Sequence, residues 1–493
     1  MSVKRWLFLT HRWLGIGLCA FFAMWFVSGV VMMYVGYPKL TETQRLQHLP
    51  VLSAQAARDW LAPREALDAA GLAGTLASLR LAVASGGVPV YMANHAQGTW
   101  VIDARTGARL ESVDRAHALA SARAFAGDGI ALAYRDTVDE DAFTHSRALD
   151  AHRPLHRIHA DDGADTRLYV SSLTGEVVRQ ATRTERGWNY LGAWIHWLYP
   201  FRGNLFDAYW TDIVNGLSLL GIALTLTGTY VGIQRWRFTR PYRSGSRSPY
   251  VGRMMRWHHV TGLLFAGITL TWIFSGLMSM NPWRIFSSGA PALQVERMQG
   301  GPLLIGGDEA TPATLLAAAG GDVRELRWRR AVGEDVVEAQ RATGAPTLLA
   351  MRDATPVALD EATVRQAAAR LIPDVPVRID VLTQEDFYYY SRDAHTMTGG
   401  RERPLPVWRA VFDDAHATWV HIDPATAQVI GKLDRSNRAS RWLFSLLHSW
   451  DWLPLLSRRP AWDIVLILLS LGGLVLSSTG VVIGWRRLRR RWH

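Results

Sequence analysis

Two pairs of histidines recur at matched places in the two halves of the chain. His11 stands in Thr10-His11-Arg12-Trp13-Leu14-Gly15, and His258 in Trp257-His258-His259-Val260-Thr261-Gly262. Each is four residues before its glycine, and the motifs lie 247 residues apart. Trp25 and Trp272 keep that offset, as do Ser28-Gly29 and Ser275-Gly276. His196 (Trp194-Ile195-His196-Trp197) and His448 (Leu446-Leu447-His448-Ser449) form a second pair, 252 residues apart. Neutral imidazole is a common metal ligand, and a low-spin haem iron takes two axial ligands. Two histidine pairs on a duplicated chain therefore point to two bis-imidazole metal or haem sites about a pseudo-two-fold axis. His259 follows His258 where the first half has Arg12, so either could be the second-half ligand, although only His258 keeps the four-residue spacing. The plainer reading is of polar residues at span ends. Trp194, Trp197, Trp450 and Trp452 would then make His196 and His448 members of an aromatic interfacial belt. The repeat favours the ligand reading, because a belt does not require the same histidine twice.

The elements that must position these histidines are membrane spans. Residues 14–35, 213–233, 260–280 and 464–485 carry no Asp, Glu, Lys or Arg. Each exceeds the roughly 18 apolar residues that mark a transmembrane helix. Glycines recur inside them, as at Gly17, Gly221, Gly228 and Gly473, and small residues let membrane helices approach closely. A four-helix bundle could then supply facing ligands. Trp25 and Trp272, midway along their spans, would pack in the bundle interior, between the two sites if both exist. The net charge of +11 reflects topology. Lys4, Arg5 and Arg12, the loop arginines 235, 237, 240, 243, 247, 253 and 256, and the tail arginines 486, 487, 489, 490 and 491 flank the spans. Positive-inside asymmetry puts both termini and the middle loop in the cytoplasm and two large segments outside. Juxtamembrane arginine is the ordinary cause of such loops, which argues against nucleic acid as a partner. The first apolar run is longer than a signal h-region and no clear cleavage site follows, so it reads as an uncleaved anchor.

Cys19 is the single cysteine, so no disulfide framework forms within the chain and no C-x-x-C-H attaches haem covalently. Any haem would be held non-covalently. No G-x-G-x-x-G follows a strand and no phosphate-binding loop is present, so an electron donor would be external: a membrane quinol or a cytoplasmic reductase.

The outside segments repeat as well. Asp141-Ala-Phe-Thr-His145-Ser-Arg147 and Arg153-Pro-Leu155 correspond to Asp386-Phe-Tyr-Tyr-Tyr390-Ser-Arg392 and Arg403-Pro-Leu405. Residues 99–110, 168–178 and 419–430 read as hairpins, and 54–73 (broken near Pro63) and 361–371 as helical. The expected fold is a membrane α-helical protein of four duplicated spans with two α+β modules. The divisions are 1–35 (tail and first span), 36–190 (first module), 191–236 (histidine segment and second span), 237–256 (basic loop), 257–281 (third span), 282–441 (second module) and 442–493 (histidine segment, fourth span and basic tail). His145, His152, His156 and His159 cluster in sequence, but Pro154 argues against one helical face and the set is not duplicated, so a solvated loop is the simpler reading. Tyr389, Tyr390, Arg392 and Arg403 could grip an anionic or aromatic chelate by stacking and cationic contacts, or could simply fill a strand core.

Nearly the whole chain resembles the PepSY-associated transmembrane proteins, through the His-Arg-Trp-Leu-Gly start, the Thr-Gly-Glu-Val-type turns, the Arg-Pro-Leu segments and the histidines before spans two and four. Within that family it is most similar to inner-membrane siderophore reductases. The resemblance implies two b-type haems per chain, axial ligands His11, His258, His196 and His448, PepSY-like periplasmic modules, and reduction of ferric siderophore at the periplasmic face. A non-enzymatic scaffold or sensor that binds a periplasmic partner or peptide is the competing function. A transporter fits less well, since no broken span and no intramembrane acid is visible.

Overall fold

The computed structural model describes residues 2–203, 205–397 and 399–490; Met1, Asn204, Thr398 and 491–493, which include Arg491 of the basic tail, lie outside the described residues. The principal helices in chain order are α1 (Val3–Met32), α2 (Arg115–Ala126), α3 (Arg183–Asn189), α4 (Trp210–Arg235), α5 (Arg253–Leu264), α6 (Ala266–Ser279), α7 (Glu361–Ala368) and α8 (Ala461–Arg489). Helices α1, α4 and α8 are long and apolar enough to cross a membrane. They tolerate internal glycine because a lipid-embedded backbone has no solvent alternative to its own hydrogen bonds. Helix α1 packs against both α8 and α4. Their glycines admit rings at close range: a Cβ on Gly473 would collide with the Phe26 ring, and one on Gly472 with Phe265.

The expected third span differs from a straight crossing. Helices α5 and α6 meet at Phe265 with a bend of 67°. Phe265 leaves the helical region (φ −107°, ψ 9°), and its ring lodges against Gly472 of α8. Gly262 and Gly267 flank the break, a composition that commonly permits a kink. Only if α5 and α6 together make one span does the count reach four.

Outside the helices, fourteen strands form three sheets among the described residues. The strands are β1 (Ser78–Ser85), β2 (Val88–His95), β3 (Gly98–Asp103), β4 (Ala131–Val138), β5 (Leu155–Asp161), β6 (Thr166–Ser171), β7 (Val177–Ala181), β8 (Val323–Ala331), β9 (Glu334–Arg341), β10 (Thr347–Ala350), β11 (Val377–Leu382), β12 (Val407–Phe412), β13 (Trp419–Asp423) and β14 (Gln428–Leu433). Each segment keeps its own four-stranded antiparallel meander, β4–β7 beneath α2 and β11–β14 beneath α7. The hairpins expected at 168–178 and 419–430 are β6–β7 and β13–β14.

The remaining strands join the segments into one sheet of order β10-β9-β8-β1-β2-β3. The seam is β1 against β8, with Leu79 opposite Trp328 and Leu81 opposite Leu326, all four fully buried. Glu325 is buried beside this seam and is met by Arg45 (2.9 Å), Arg80 (3.3 Å) and Arg327. Burial alone would raise its carboxyl pKa, but Arg45, Arg80 and Arg327 outweigh burial and hold it well below the usual carboxylate range.

Candidate functional site

The histidines expected to pair do meet. The rings of His11 on α1 and His258 on α5 have centroids 6.2 Å apart. Those of His196 and His448 are also 6.2 Å apart. Ser28, which contacts His196, is 17 residues beyond His11 on α1, so the two pairs lie about 26 Å apart along that helix.

Hydrogen bonding fixes the protonation pattern. His11 Nδ1 donates to the carbonyl of Leu224 (3.3 Å), and His258 Nδ1 to that of Leu476 (3.1 Å). A carbonyl can only accept, so in both rings the proton sits on Nδ1. His196 Nδ1 is 2.9 Å from Ser28 Oγ, and His448 Nδ1 is 3.0 Å from Ser275 Oγ. Ser28 already donates its proton to the Met24 carbonyl (2.8 Å), and Ser275 to that of Trp272 (3.1 Å). Each serine oxygen is therefore an acceptor, and the outer rings are Nδ1–H tautomers too. Among the described residues no Nε2 of the four has a hydrogen-bond partner. The form presented is the one that ligates metals: Nδ1–H oriented by a fixed acceptor, with the Nε2 lone pair free.

Backbone geometry aims the outer pair. A wide π-type turn, Tyr190–Trp194, comes just before His196, and another, Arg441–Leu446, just before His448. Such turns are rare and cluster at functional sites. Two residues after each histidine the chain enters the left-handed region, at Leu198 (φ 54°) and Trp450 (φ 50°). Neither is glycine, so the surrounding structure imposes the conformation. Indole N–H groups clamp the carbonyls: Trp25 donates to His196 O (3.0 Å), Trp210 to Trp197 O (2.8 Å) and Trp462 to Ser449 O (3.0 Å). Trp25 thus lies level with the outer pair.

A helical glycine backs every ring. A Cβ on Gly228 would lie 2.6 Å from His11 Cε1, and one on Gly480 3.3 Å from His258 Cε1. Gly29 and Gly276 stand in the same relation to His196 and His448, at 3.7 and 3.8 Å. Gly228 and Gly480 stand out in the sequence only as small residues that ease helix packing, and Trp210 and Trp462 not at all. The 252-residue offset relates each pair and would have exposed them.

The choice between His258 and His259 has a geometric answer. Both nitrogens of His259 are engaged, Nδ1 with Ser248 Oγ (2.8 Å) and Nε2 with Gly232 O (2.9 Å). It is buried between Trp236 and Tyr250 and ties the basic loop to the end of α4.

The other candidates are absorbed into packing. Tyr389 is fully buried, donates to Pro404 O (2.8 Å) and lies under the Arg403 guanidinium. Tyr390 donates to Asp451 (2.9 Å), which also pairs with Arg392. Asp451 follows His448 by three residues, so this group braces the outer histidine segment against the β11–β14 module. The matched contact in the first half is His145 edge-on to Tyr199, 4.7 Å between centroids. His145, His152, His156 and His159 go their separate ways: His145 contacts Glu140, His156 bonds Tyr134 and Val113 O, and His159 pairs with Asp165. Among the described residues no three His, Cys, Asp or Glu side chains group as a metal cage.

A haem fits this donor set better than a bare ion does. Two metal–imidazole bonds of about 2 Å, with the two ring radii added, span about 6 Å. Each pair offers two imidazole nitrogens, and the remaining donors of an iron would come from a macrocycle. The model of the PepSY-associated TM region matches residues 8–343. That span holds His11, His196 and His258 and stops short of His448. No curated protein matches the chain.

Proposed function

We propose, since the chain belongs to the family of proteins carrying the PepSY-associated TM region, that it is a membrane oxidoreductase. It holds two non-covalent b-type haems and passes electrons across the bilayer to ferric iron in a siderophore-type chelate. The observation that carries this reading is the fourfold Nδ1–H arrangement: two neighbouring imidazole pairs, each ring held through Nδ1 by its own acceptor, which leaves Nε2 as the nitrogen available to a metal. His11 and His258 would hold one haem near the cytoplasmic face, and His196 and His448 the other near the periplasmic face. Bound haem supplies reversible one-electron chemistry at each pair. The protein's part is orientation. Ser28, Ser275 and the carbonyls of Leu224 and Leu476 fix the ligands, while the buried cluster of Leu18, Phe22, Phe26 and Ile273 excludes water between the pairs. The arginine-rich ends favour an inner-membrane protein with both termini and the α4–α5 loop in the cytoplasm. The donor is a quinol or a cytoplasmic reductase. Reduction of iron weakens its binding to hard oxygen donors and so releases it from the chelate.

The test is the dithionite-reduced minus oxidised spectrum of the detergent-purified chain made with ample haem. Sharp b-type bands at two haems per chain are expected. A flat spectrum from folded protein overturns the reading and leaves a scaffold or sensor.

A further inference from the structure

A cleft of about 350 Å³ opens on the face of the β4–β7 sheet turned away from α2. Arg135, Arg157, Arg167 and Arg186 line it, with His159, Asp136 and Asp165. Its carboxylates are already satisfied. Asp136 is gripped by Arg157 through two bonds, 2.6 and 2.5 Å. Asp165 is held by Arg186 (2.9 Å) and His159 (3.0 Å). Four arginines therefore face two carboxylates: among the described residues neither Arg135 nor Arg167 is in a carboxylate salt bridge, and Arg167, in the field of Asp136, bonds the Tyr169 hydroxyl and lies over Phe143.

Backbone geometry puts Arg135 there. The β4–β5 register pairs Tyr134 with Ile158 and then Asp136 with Arg157, leaving Arg135 as the extra residue of a β-bulge. In an unbroken strand Arg135 and Asp136 would point to opposite faces. Tyr134 packs on the α2 face, so alternation alone turns Arg135 to the cleft, and the bulge re-aims Asp136 to the same side, as bulges beside sites commonly do.

The duplicate of this face is closed. In the second module β11 pairs with β12 without a shift, so no residue is re-aimed. Trp419, the counterpart of Arg167 at the 252-residue offset, fills the position, sandwiched between Arg409 and Arg438 with Tyr388 against its edge. One copy is plugged by an aromatic stack and the other kept open and cationic. The open copy is joined through the chain to the outer histidine segment: Arg186 lies on α3, which runs directly into the π-type turn before His196.

We propose that this cleft binds a small multianionic ligand rich in carboxylate oxygens, with Arg135 and Arg167 as the forks that engage it. Resting on the function proposed above, the ligand class is the anionic iron chelate, received at the module that leads to His196.

The test is calorimetric titration of the full chain in zwitterionic nanodiscs with citrate and with gallium citrate, which binds as a trivalent chelate but is not reduced. One site per chain is expected. Arg135→Gln and Arg167→Gln should each weaken it at least tenfold, and Arg378→Gln on the exposed edge of the second module should not. Arg135 is exposed and should be replaced without loss of fold, whereas Arg167 also touches Tyr169 and Phe143, so the Arg135→Gln result, read with gel filtration of both variants, decides. No binding at low millimolar citrate, or equal binding by parent and both variants, overturns the proposal. Because binding needs no electron, the haem spectrum is read independently. Citrate binding without haem bands keeps the cleft and removes the reductase, and haem bands without citrate binding do the reverse.

Discussion

A serine hydroxyl whose proton is already committed decides which nitrogen of each outer histidine is protonated, and the consequence is measurable. Ser28→Ala deletes the acceptor and leaves His196 Nδ1–H unpaired in a buried site. Supporting hydrogen bonds of this kind are worth about 10–100-fold in metal affinity. Haem titration of the apo-protein should show the outer site weakened by about that factor and the inner site unchanged. Equal affinity at both sites would show that the serine does not orient the ring. Gly228→Leu is the complementary variant. Even a Cβ would stand 2.6 Å from His11 Cε1, so the inner haem should be lost while the outer one stays, giving half the absorbance per chain. His259 predicts the opposite pattern. His259→Ala removes bonds to Ser248 and Gly232, so both haems should be retained while the fold loses about 1–3 kcal/mol, read as a lower melting temperature.

The element that unites the two strand-rich segments is the β1–β8 seam, and its weak point is Glu325. Its folded pKa is depressed relative to an unfolded glutamate near about 4.3. The stability this contributes is fully present above that value and is lost as the pH falls toward the folded pKa. Thermal melting of the full chain in nanodiscs should therefore drop as the pH is lowered below about 5. Glu325→Gln should remove part of that slope and cost about 3–5 kcal/mol at neutral pH, because Arg45, Arg80 and Arg327 lose a shared buried counter-charge. A variant that melts like the parent at pH 7 would show that the cluster is not a lock. The α5–α6 bend is a second element whose cause lies in its neighbour. Gly472→Leu would fill the space that receives Phe265, so the bend and the His258 position it sets should both suffer.

For the whole molecule, orientation is the decisive property, because the proposed electron transfer requires the two histidine pairs to face opposite compartments. The inner and outer pairs stand about 26 Å apart along α1, and a bilayer core is about 30 Å thick. Ala96→Cys in the β2–β3 turn should react with a membrane-impermeant maleimide in cells with a permeabilised outer membrane, and Ser244→Cys in the α4–α5 loop only after the inner membrane is broken. The reverse labelling would invert the direction proposed for electron flow. Cys19 is buried and should stay silent.

The sequence by itself determined which residues pair, because duplication leaves a constant offset between equivalent positions, and it determined the apolar helices, because a span must carry its own hydrophobic run. His11 with His258, His196 with His448, and the hairpins at 168–178 and 419–430 were legible for that reason. Tertiary structure alone decided three things. His258 rather than His259 faces His11, because helix rotation against α4 turns one ring inward and spends both nitrogens of the other on Ser248 and Gly232. The third apolar run is bent 67°, because a glycine on another helix receives Phe265. Asp136 joins Arg135 at the cleft, because a one-residue slip in the β4–β5 register moves a side chain between faces, and the β11–β12 pairing has no such slip. Contacts between distant segments settle all three; the spacing of His258 to Gly262 and the glycines around Phe265 agree with the outcome but do not by themselves produce it.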